Sequence, residues 1–365
     1  MYLDAYGHNS IARMAKLSLC LENISLLAAK SVEWTRPGAG YIELSTRYVD
    51  MSGKDFYPVA REIGEYGVDP ELVQECMNYS FQFYRHFQGE NFSGPFPQFL
   101  REQYGELFPD KKDLERGVIG ETCDVLGNFL PCATLTSVGI AVSGEAFPEL
   151  LKHLILDGTP ENLVLTRMIA EEAAKIGGDQ FLRHYEPSEW KKALWAYLDP
   201  NEFDYGRMGD LRPSRILEPV IADDEIARRI LWASFHRQPP FSENPSRKFN
   251  SVLEKLKTIP RGEFDKLPNH FETVSAAFSG VMSFRGWRDL QRQQFCTHYR
   301  TYVTPLIGFY LYDKPEPHGF FKACSEVWQK NLALYHVMKS HGVPDALMQY
   351  PMALGNLVGF QIREI

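Results

Sequence analysis

One short pattern occurs twice in this chain and limits how it can fold. Leu130-Pro131-Cys132-Ala133-Thr134 lies in the first half, and Tyr350-Pro351-Met352-Ala353-Leu354 lies near the end. Each is a proline-led apolar run, and each closes a similar series of a helical segment, a polar turn, a short strand and further helices. In the first half, residues 10–33 repeat apolar at three and four with Ser10 available as a cap, which predicts one or two helices. Arg36-Pro37-Gly38-Ala39-Gly40 breaks that pattern, and Tyr41 to Asp50 is rich in β-formers before Gly53, which predicts a short strand. Residues 55–90 and 145–190 read as mostly helical. In the second half, 269–300 reads as helical, 301–313 as a β-like run and 318–340 as helical again. Between the halves, 236–268 is polar and proline-rich, the composition of a linker. The expectation is an α+β fold of two diverged repeats, 1–235 and 269–365, each a short, mostly antiparallel sheet packed with helices. Residue identity between the halves is low, so the duplication rests on the order of elements.

The 365 residues are 44% hydrophobic and 13% aromatic, ample for a packed core, and the net charge is -8. An acidic balance argues against a non-specific nucleic-acid binder, whose footprint is basic. It leaves room for a small anion, because a few arginines in one cleft hold a phosphate whatever the total charge. Six cysteines, at 20, 76, 123, 132, 296 and 324, form no CxxC pair, so free thiols in a reducing cytoplasm are expected and no metal site. Neither a signal peptide nor a membrane-spanning run is evident, and a cytoplasmic protein without a membrane partner is expected. No GxxxxGK[ST], HExxH or GxSxG occurs, and Gly38-Ala39-Gly40 lacks the third glycine of a dinucleotide fingerprint.

The sharpest segment is Glu43-Leu44-Ser45-Thr46-Arg47-Tyr48. On a strand, Glu43, Ser45 and Arg47 point to one face, because the side-chain period is two. A hydroxyl, backbone N–H groups and a guanidinium fork make a phosphate receptor. On spacing alone, a solvated strand face carrying a Glu/Arg pair is the commoner meaning of such a pattern.

That segment resembles the second half of RHRxxSxNExSxRY, the signature of the flavin-dependent thymidylate synthase (ThyX) family. Tyr6-Gly7-His8-Asn9-Ser10-Ile11-Ala12 resembles the family's YGHxSIAE opening, and Phe129-Leu130-Pro131 with Thr134 and Thr136 its later LP…T segment. In the second half, Leu267-Pro268-Asn269-His270-Phe271-Glu272 resembles an HFE-type opening. Gln294-Phe295-Cys296-Thr297-His298-Tyr299-Arg300 resembles QxxRHR, and Gln361-Ile362-Arg363 resembles NxR. The resemblance implies C5 methylation of a uridine nucleotide, with methylenetetrahydrofolate as carbon donor and NADPH-reduced FAD as hydride source. A relative in polyoxin biosynthesis methylates UMP as well as dUMP, so both substrates stay open. By resemblance, Arg36, Glu43 and Ser45 lie at the catalytic centre, and Glu43, Ser45, Thr46, Arg47 and Gln294 hold the nucleotide. His8, Ser10, Arg36, His298, Arg300 and Arg363 face the flavin. Ser45 is read as a binding group, because no adjacent base would activate it.

The departures are substantial. Thr35-Arg36-Pro37 stands where RHR belongs, Ile42 replaces the family's asparagine, Gly127 stands where an arginine usually precedes the LP segment, and Ser143-Gly144-Glu145 stands for NxR. Each half lacks a different part, which implies a composite site and a homo-oligomer that shares it. The rival readings are a nucleotide- or flavin-binding protein without methylase activity, and an unrelated α+β hydrolase or transferase.

Overall fold

The computed structural model describes residues 12–34, 38–108, 110–182, 185–198, 214–216, 245–260, 262, 276–293 and 296–364. In chain order the elements are β1 (Lys16–Ser25), α1 (Leu26–Val32), β2 (Ala39–Glu43), α2 (Val59–Gly64), α3 (Pro70–Gln88), α4 (Pro95–Tyr104), α5 (Lys111–Leu126), β3 (Leu135–Ser143), α6 (Phe147–Asp157), α7 (Pro160–Lys175), α8 (Glu189–Leu198), β4 (Ser214–Ile216), α9 (Pro245–Leu256), β5 (Ala276–Ser283), α10 (Phe284–Leu290), β6 (Cys296–Arg300), α11 (Phe320–Ser340), α12 (Asp345–Met348) and β7 (Leu357–Glu364). The fold is α+β, with two small sheets packed with helices.

In the first sheet β3 is central, antiparallel to β1 on one side and to β2 on the other. Residues 10–33 were expected to be helical, but 16–25 is strand. Leu17, Leu21 and Ile24 fit helical spacing, yet Leu17-Ser18-Leu19-Cys20-Leu21 also alternates, and pairing with β3 from Lys16↔Ser143 to Ser25↔Leu135 decides the outcome. A register shift between Glu22 and Ile24, with Asn23 at φ 57°, turns Ile24 and Ser25 inward. One side of this sheet buries Leu17, Ile24, Val138, Ile140 and Val142 against Ala28 and Val32 of α1, Leu150 and Leu154 of α6 and Ile169 of α7. A second core is aromatic: Phe87 of α3, Phe96 of α4, Phe129, Tyr312 and Phe320 of α11 make a continuous run of ring contacts.

A second sheet has strand order β4-β5-β7-β6, with β4 and β5 antiparallel. Residues 276–283 and 296–300, expected to be helical, are therefore strands, and only α10 between them is a helix. Ladder pairing outweighs the weak helical preference of Ala276-Ala277-Phe278-Ser279-Gly280. The 301–313 run is not a strand; Phe309 makes an isolated bridge with Asn356. Helix α9 lies inside the expected linker.

By internal contact the chain forms two units, one of 1–210, 281–294 and 300–359, the other of 211–280, 295–299 and 360–365. Within the first, the two proline-led segments are hydrogen-bonded to each other with a twofold pattern. Cys132 N donates to Met352 O and Leu354 N to Leu130 O; Ala133 N donates to Tyr350 O and Gly355 N to Asn128 O, all at 2.8 Å. The flanking elements repeat the same scheme. Leu26 and Leu27 N donate to Thr134 and Cys132 O, just as Phe284 and Arg285 N donate to Asn356 and Leu354 O. Tyr57 N donates to Ala133 O, and Tyr310 N to Gly355 O. Ser25 and Ser283 cap α1 and α10 alike, each hydroxyl accepting from the amide three residues on. Two copies of one supersecondary motif thus face each other across the Leu130–Thr134 and Tyr350–Leu354 segments.

Candidate functional site

Helix α1 starts at Ser25, whose N–H and hydroxyl both donate to Glu161 at 2.8 and 2.6 Å. This anchor aims Lys30, on the last turn of α1, at the end of β2, where Glu43 pairs in register with Val138. Helix α10, capped by Ser283, brings Arg285 and Arg288, and Arg292 follows it. The Glu43 carboxylate meets three of these cations. Oε2 accepts from Lys30 Nζ at 2.8 Å and from Arg292 Nη2 at 3.0 Å, and Oε1 accepts from Arg288 Nη2. Lys30 also donates to Glu33, and Gln291 Nε2 donates to Lys30 O at 3.0 Å. The side chains of Glu43 and Lys30 are each 1% exposed and that of Arg288 3%.

A carboxylate this dry is costly to ionise alone, and only close cations make it stable. Burial pushes the Glu43 pKa up, but Arg288 and then Lys30 and Arg292 outweigh it and hold the group well below the usual carboxylate range. Glu33 goes the other way: burial dominates, Lys30 opposes it, and the pKa is raised. Arg288 still has Nε and Nη1 buried without a hydrogen-bond partner.

Beyond Glu43 the chain leaves the strand. Ser45 and Arg47 were expected on one strand face with Glu43; instead, Ser45 Oγ accepts from Arg47 N at 3.2 Å and Ser45 O accepts from the amides of Tyr48 and Val49. A serine that bonds the backbone two residues on closes a turn and ends the ladder. Thr46 is buried, Ser45 half-buried, and the Arg47 side chain is 46% exposed. Arg47 Nη2 donates to Asp124 Oδ2 at 2.9 Å, and the other oxygen of Asp124 accepts from buried Arg285 at 2.8 Å. Arg285 also reaches Asp289 at 3.0 Å.

Of the remaining expected residues, His8, Ser10, Arg36 and Gln294 lie outside the described residues. Arg300 turns onto its own chain. Its guanidinium lies 4.8 and 5.1 Å from the ring centroids of Phe284 and Trp287, and Nη1 donates to Gln349 Oε1 at 2.9 Å. Main-chain register also relocates it. Leu44 N donates to Ser137 O and Thr301 N to Gly359 O. In the twofold scheme Arg300 therefore occupies the place of Glu43, and His298 that of Tyr41, so neither stands where RHR would. His298 is half-buried and Arg363 exposed. Lys30, Asp124, Arg285, Arg288 and Arg292 were missed from sequence. The available signal was Arg285, Arg288 and Arg292 at helical spacing beside Phe284 and Trp287, one cationic stripe along and just beyond a short helix whose only carboxylate is Asp289.

Residues 1–175 match the model of the family described as thymidylate synthase complementing protein. That match covers just under half of the 365 residues, and over those residues the chain is similar to that family. The match takes in Lys30, Glu43, Ser45, Arg47 and Asp124, so the family region contains the strand, the turn and the Lys30 side of the cation cluster. A UPF0159 protein of Thermoplasma acidophilum is 25% identical over 340 residues, covering 83% of this chain and 66% of the relative. One of Chlamydia muridarum is 26% identical over 362 residues, covering 90% of this chain and 65% of the relative. The chain thus spans just under two thirds of the length of these relatives, and the similarity to them runs through the arginine-bearing C-terminal segment as well. Among the described residues no helix is long and apolar enough to cross a membrane, and no three His, Cys, Asp or Glu side chains group as a metal site.

Proposed function

We propose that this chain binds a uridine nucleotide, UMP or dUMP, at the Glu43–Arg47 arm and takes part in flavin-dependent methylation of uracil C5. The observation that carries this reading is the turn after β2. There Ser45 accepts from the Arg47 amide, and the half-exposed Arg47 guanidinium shares Asp124 with buried Arg285, in a region that matches the family. Ser45 and Arg47 bind the phosphate, a hydroxyl and a planar fork suited to its oxygens. Glu43 is not a proton carrier in this scheme. Held ionised by three cations, it fixes Lys30, Arg288 and Arg292 in place, and the arginines contribute positive potential toward charge that builds in the uracil ring.

FAD, when bound, supplies the hydride that completes the methyl group, with NADPH restoring the flavin and methylenetetrahydrofolate giving the carbon. The buried, unpartnered donors of Arg288 fit an anionic group of this kind, and half-exposed Arg292 fits its approach. Arg300 does not fit, because ring faces and Gln349 already hold it. The division into repeats 1–235 and 269–365, joined by 236–268, belongs to this reading, supported by the twofold hydrogen-bond scheme. So does a shared site in a homo-oligomer: β2 is an edge strand, with Ile42 80% exposed and Tyr48 beyond it 71% exposed.

A second reading, a nucleotide-binding protein without methylase activity, is favoured by two positions. Arg300 stands in the place of Glu43, and Glu145, where the family carries a cation, is ion-paired to Arg13 at 3.0 Å. An absorbance spectrum of the purified full chain with FAD, then with NADPH and either UMP or dUMP, separates the two. A flavin band that bleaches only when nucleotide and NADPH are present supports the enzyme; nucleotide binding without flavin uptake supports the second reading. Absence of both defeats the proposal.

A further inference from the structure

Glycine at 127 makes room for an arginine from another part of the chain. Helix α5 ends there, and a Cβ on residue 127 would lie 2.9 Å from Arg285 Nε and 3.3 Å from its Cδ. Arg285 thus lies along the C-terminal turn of α5, where a cation is favoured by the helix dipole, and holds Asp124 one turn back. Asp124 is divided between two arginines in unlike surroundings. Arg285 is 5% exposed, whereas Arg47 is 46% exposed and Asp124 itself 32%. An ion pair half in water exchanges at little cost, while one on the dry side does not.

We propose that Asp124 is a carboxylate latch on Arg47, and that Arg285 is the positioning residue that keeps the latch open to exchange. An arriving nucleotide phosphate takes Arg47 from Asp124 Oδ2, and Asp124 stays on Arg285 through Oδ1. Without Arg285 the whole charge of Asp124 falls on Arg47, and the phosphate must compete with a fully committed carboxylate. The inference rests on the reading of Arg47 as the phosphate-binding residue, and it assigns Gly127 a purpose: only a residue without a side chain leaves space for Arg285.

The test is equilibrium binding of UMP and dUMP to the full chain, measured calorimetrically for wild type, D124N, R285A and the double variant. D124N, which removes charge but no volume, is expected to tighten binding by about three- to tenfold. R285A is expected to weaken it by about tenfold or more, as loss of one charge-assisted hydrogen bond implies. The double variant is expected to bind at least as tightly as wild type, because the carboxylate that Arg285 restrained is gone. A merely structural role for the pair would not make D124N tighter. Weaker binding by D124N, or a double variant as weak as R285A, overturns the latch while leaving Arg47 as the phosphate residue. If R285A does not fold, the sign of the D124N effect decides alone. Wild type that binds neither nucleotide defeats the functional reading, and the latch with it.

Discussion

Replacing Glu43 by Gln removes one negative charge with almost no change of shape, so its cost reports the electrostatics of the buried cluster. Lys30 and Arg288 would remain at 1% and 3% side-chain exposure, with Glu33 as the nearest carboxylate to Lys30 and none bonded to Arg288. Breaking a buried pair from one side costs about 3–5 kcal/mol. Because Glu33 still offsets part of the charge, a loss of about 3 kcal/mol is expected for E43Q at neutral pH, read from urea unfolding followed by tryptophan fluorescence. The pH dependence adds a sign. The folded pKa of Glu43 is depressed, so its contribution is fully present above the unfolded carboxylate value and is lost as pH falls through the folded one. Wild-type and E43Q stabilities should therefore converge in acid. Glu33, whose pKa is raised, has the opposite sign: its ionisation costs stability as pH rises, so E33Q should be neutral to mildly stabilising at neutral pH. A loss below about 1 kcal/mol for E43Q, the range of an exposed pair, or a gap that does not close in acid, would refute the reasoning.

Three further outcomes follow from the packing. Asn331, wholly buried, donates to Cys76 Sγ and accepts from Ala353 N and Asn356 Nδ2, so N331A should cost about 2–4 kcal/mol by thermal unfolding, from orphaned groups and lost packing. Cys132 and Cys324 are buried with thiols pushed up to about 12, whereas Cys20 is exposed; iodoacetamide at mildly alkaline pH should modify Cys20 well before either, as peptide mass spectrometry would show. Arg300→Leu should lower stability by roughly 1–2 kcal/mol through the lost Gln349 bond and ring contacts while leaving FAD affinity within about twofold of wild type; a large loss of FAD affinity at unchanged stability would return Arg300 to the flavin site.

The Glu43–Tyr48 segment was legible because residue identity, not periodicity, marked it. Its geometry was not, since Leu44, Ser45 and Thr46 suit a strand as well as a turn, and the Ser45 side chain settles the matter locally. Strand β1 was read as helix because its leucines satisfy both periods, and only its partner β3, more than a hundred residues on, distinguishes them. The long helices α3 and α11, with their strong apolar stripes, fell where the pattern put them. The cation cluster was the least visible part. Arg288 looks like an ordinary helix-surface residue until the chain brings Glu43, 245 positions away, onto it. Sequence order also placed His298 and Arg300 beside the wrong motif, and main-chain pairing to Gly359 moved them.

The hydrogen bonds that join Leu130–Thr134 to Tyr350–Leu354 set a timetable for biosynthesis. When the N-terminal stretch leaves the ribosome, the amides of Cys132 and Ala133 have no acceptors, and they wait until more than two hundred further residues have been made. A fragment ending at residue 175, where the family match stops, would expose this unsatisfied ribbon and need chaperone protection. Supplied in trans, a peptide carrying Tyr350 to Leu354 would act as its natural clasp, the partner that the nascent chain lacks until Met352 has been made.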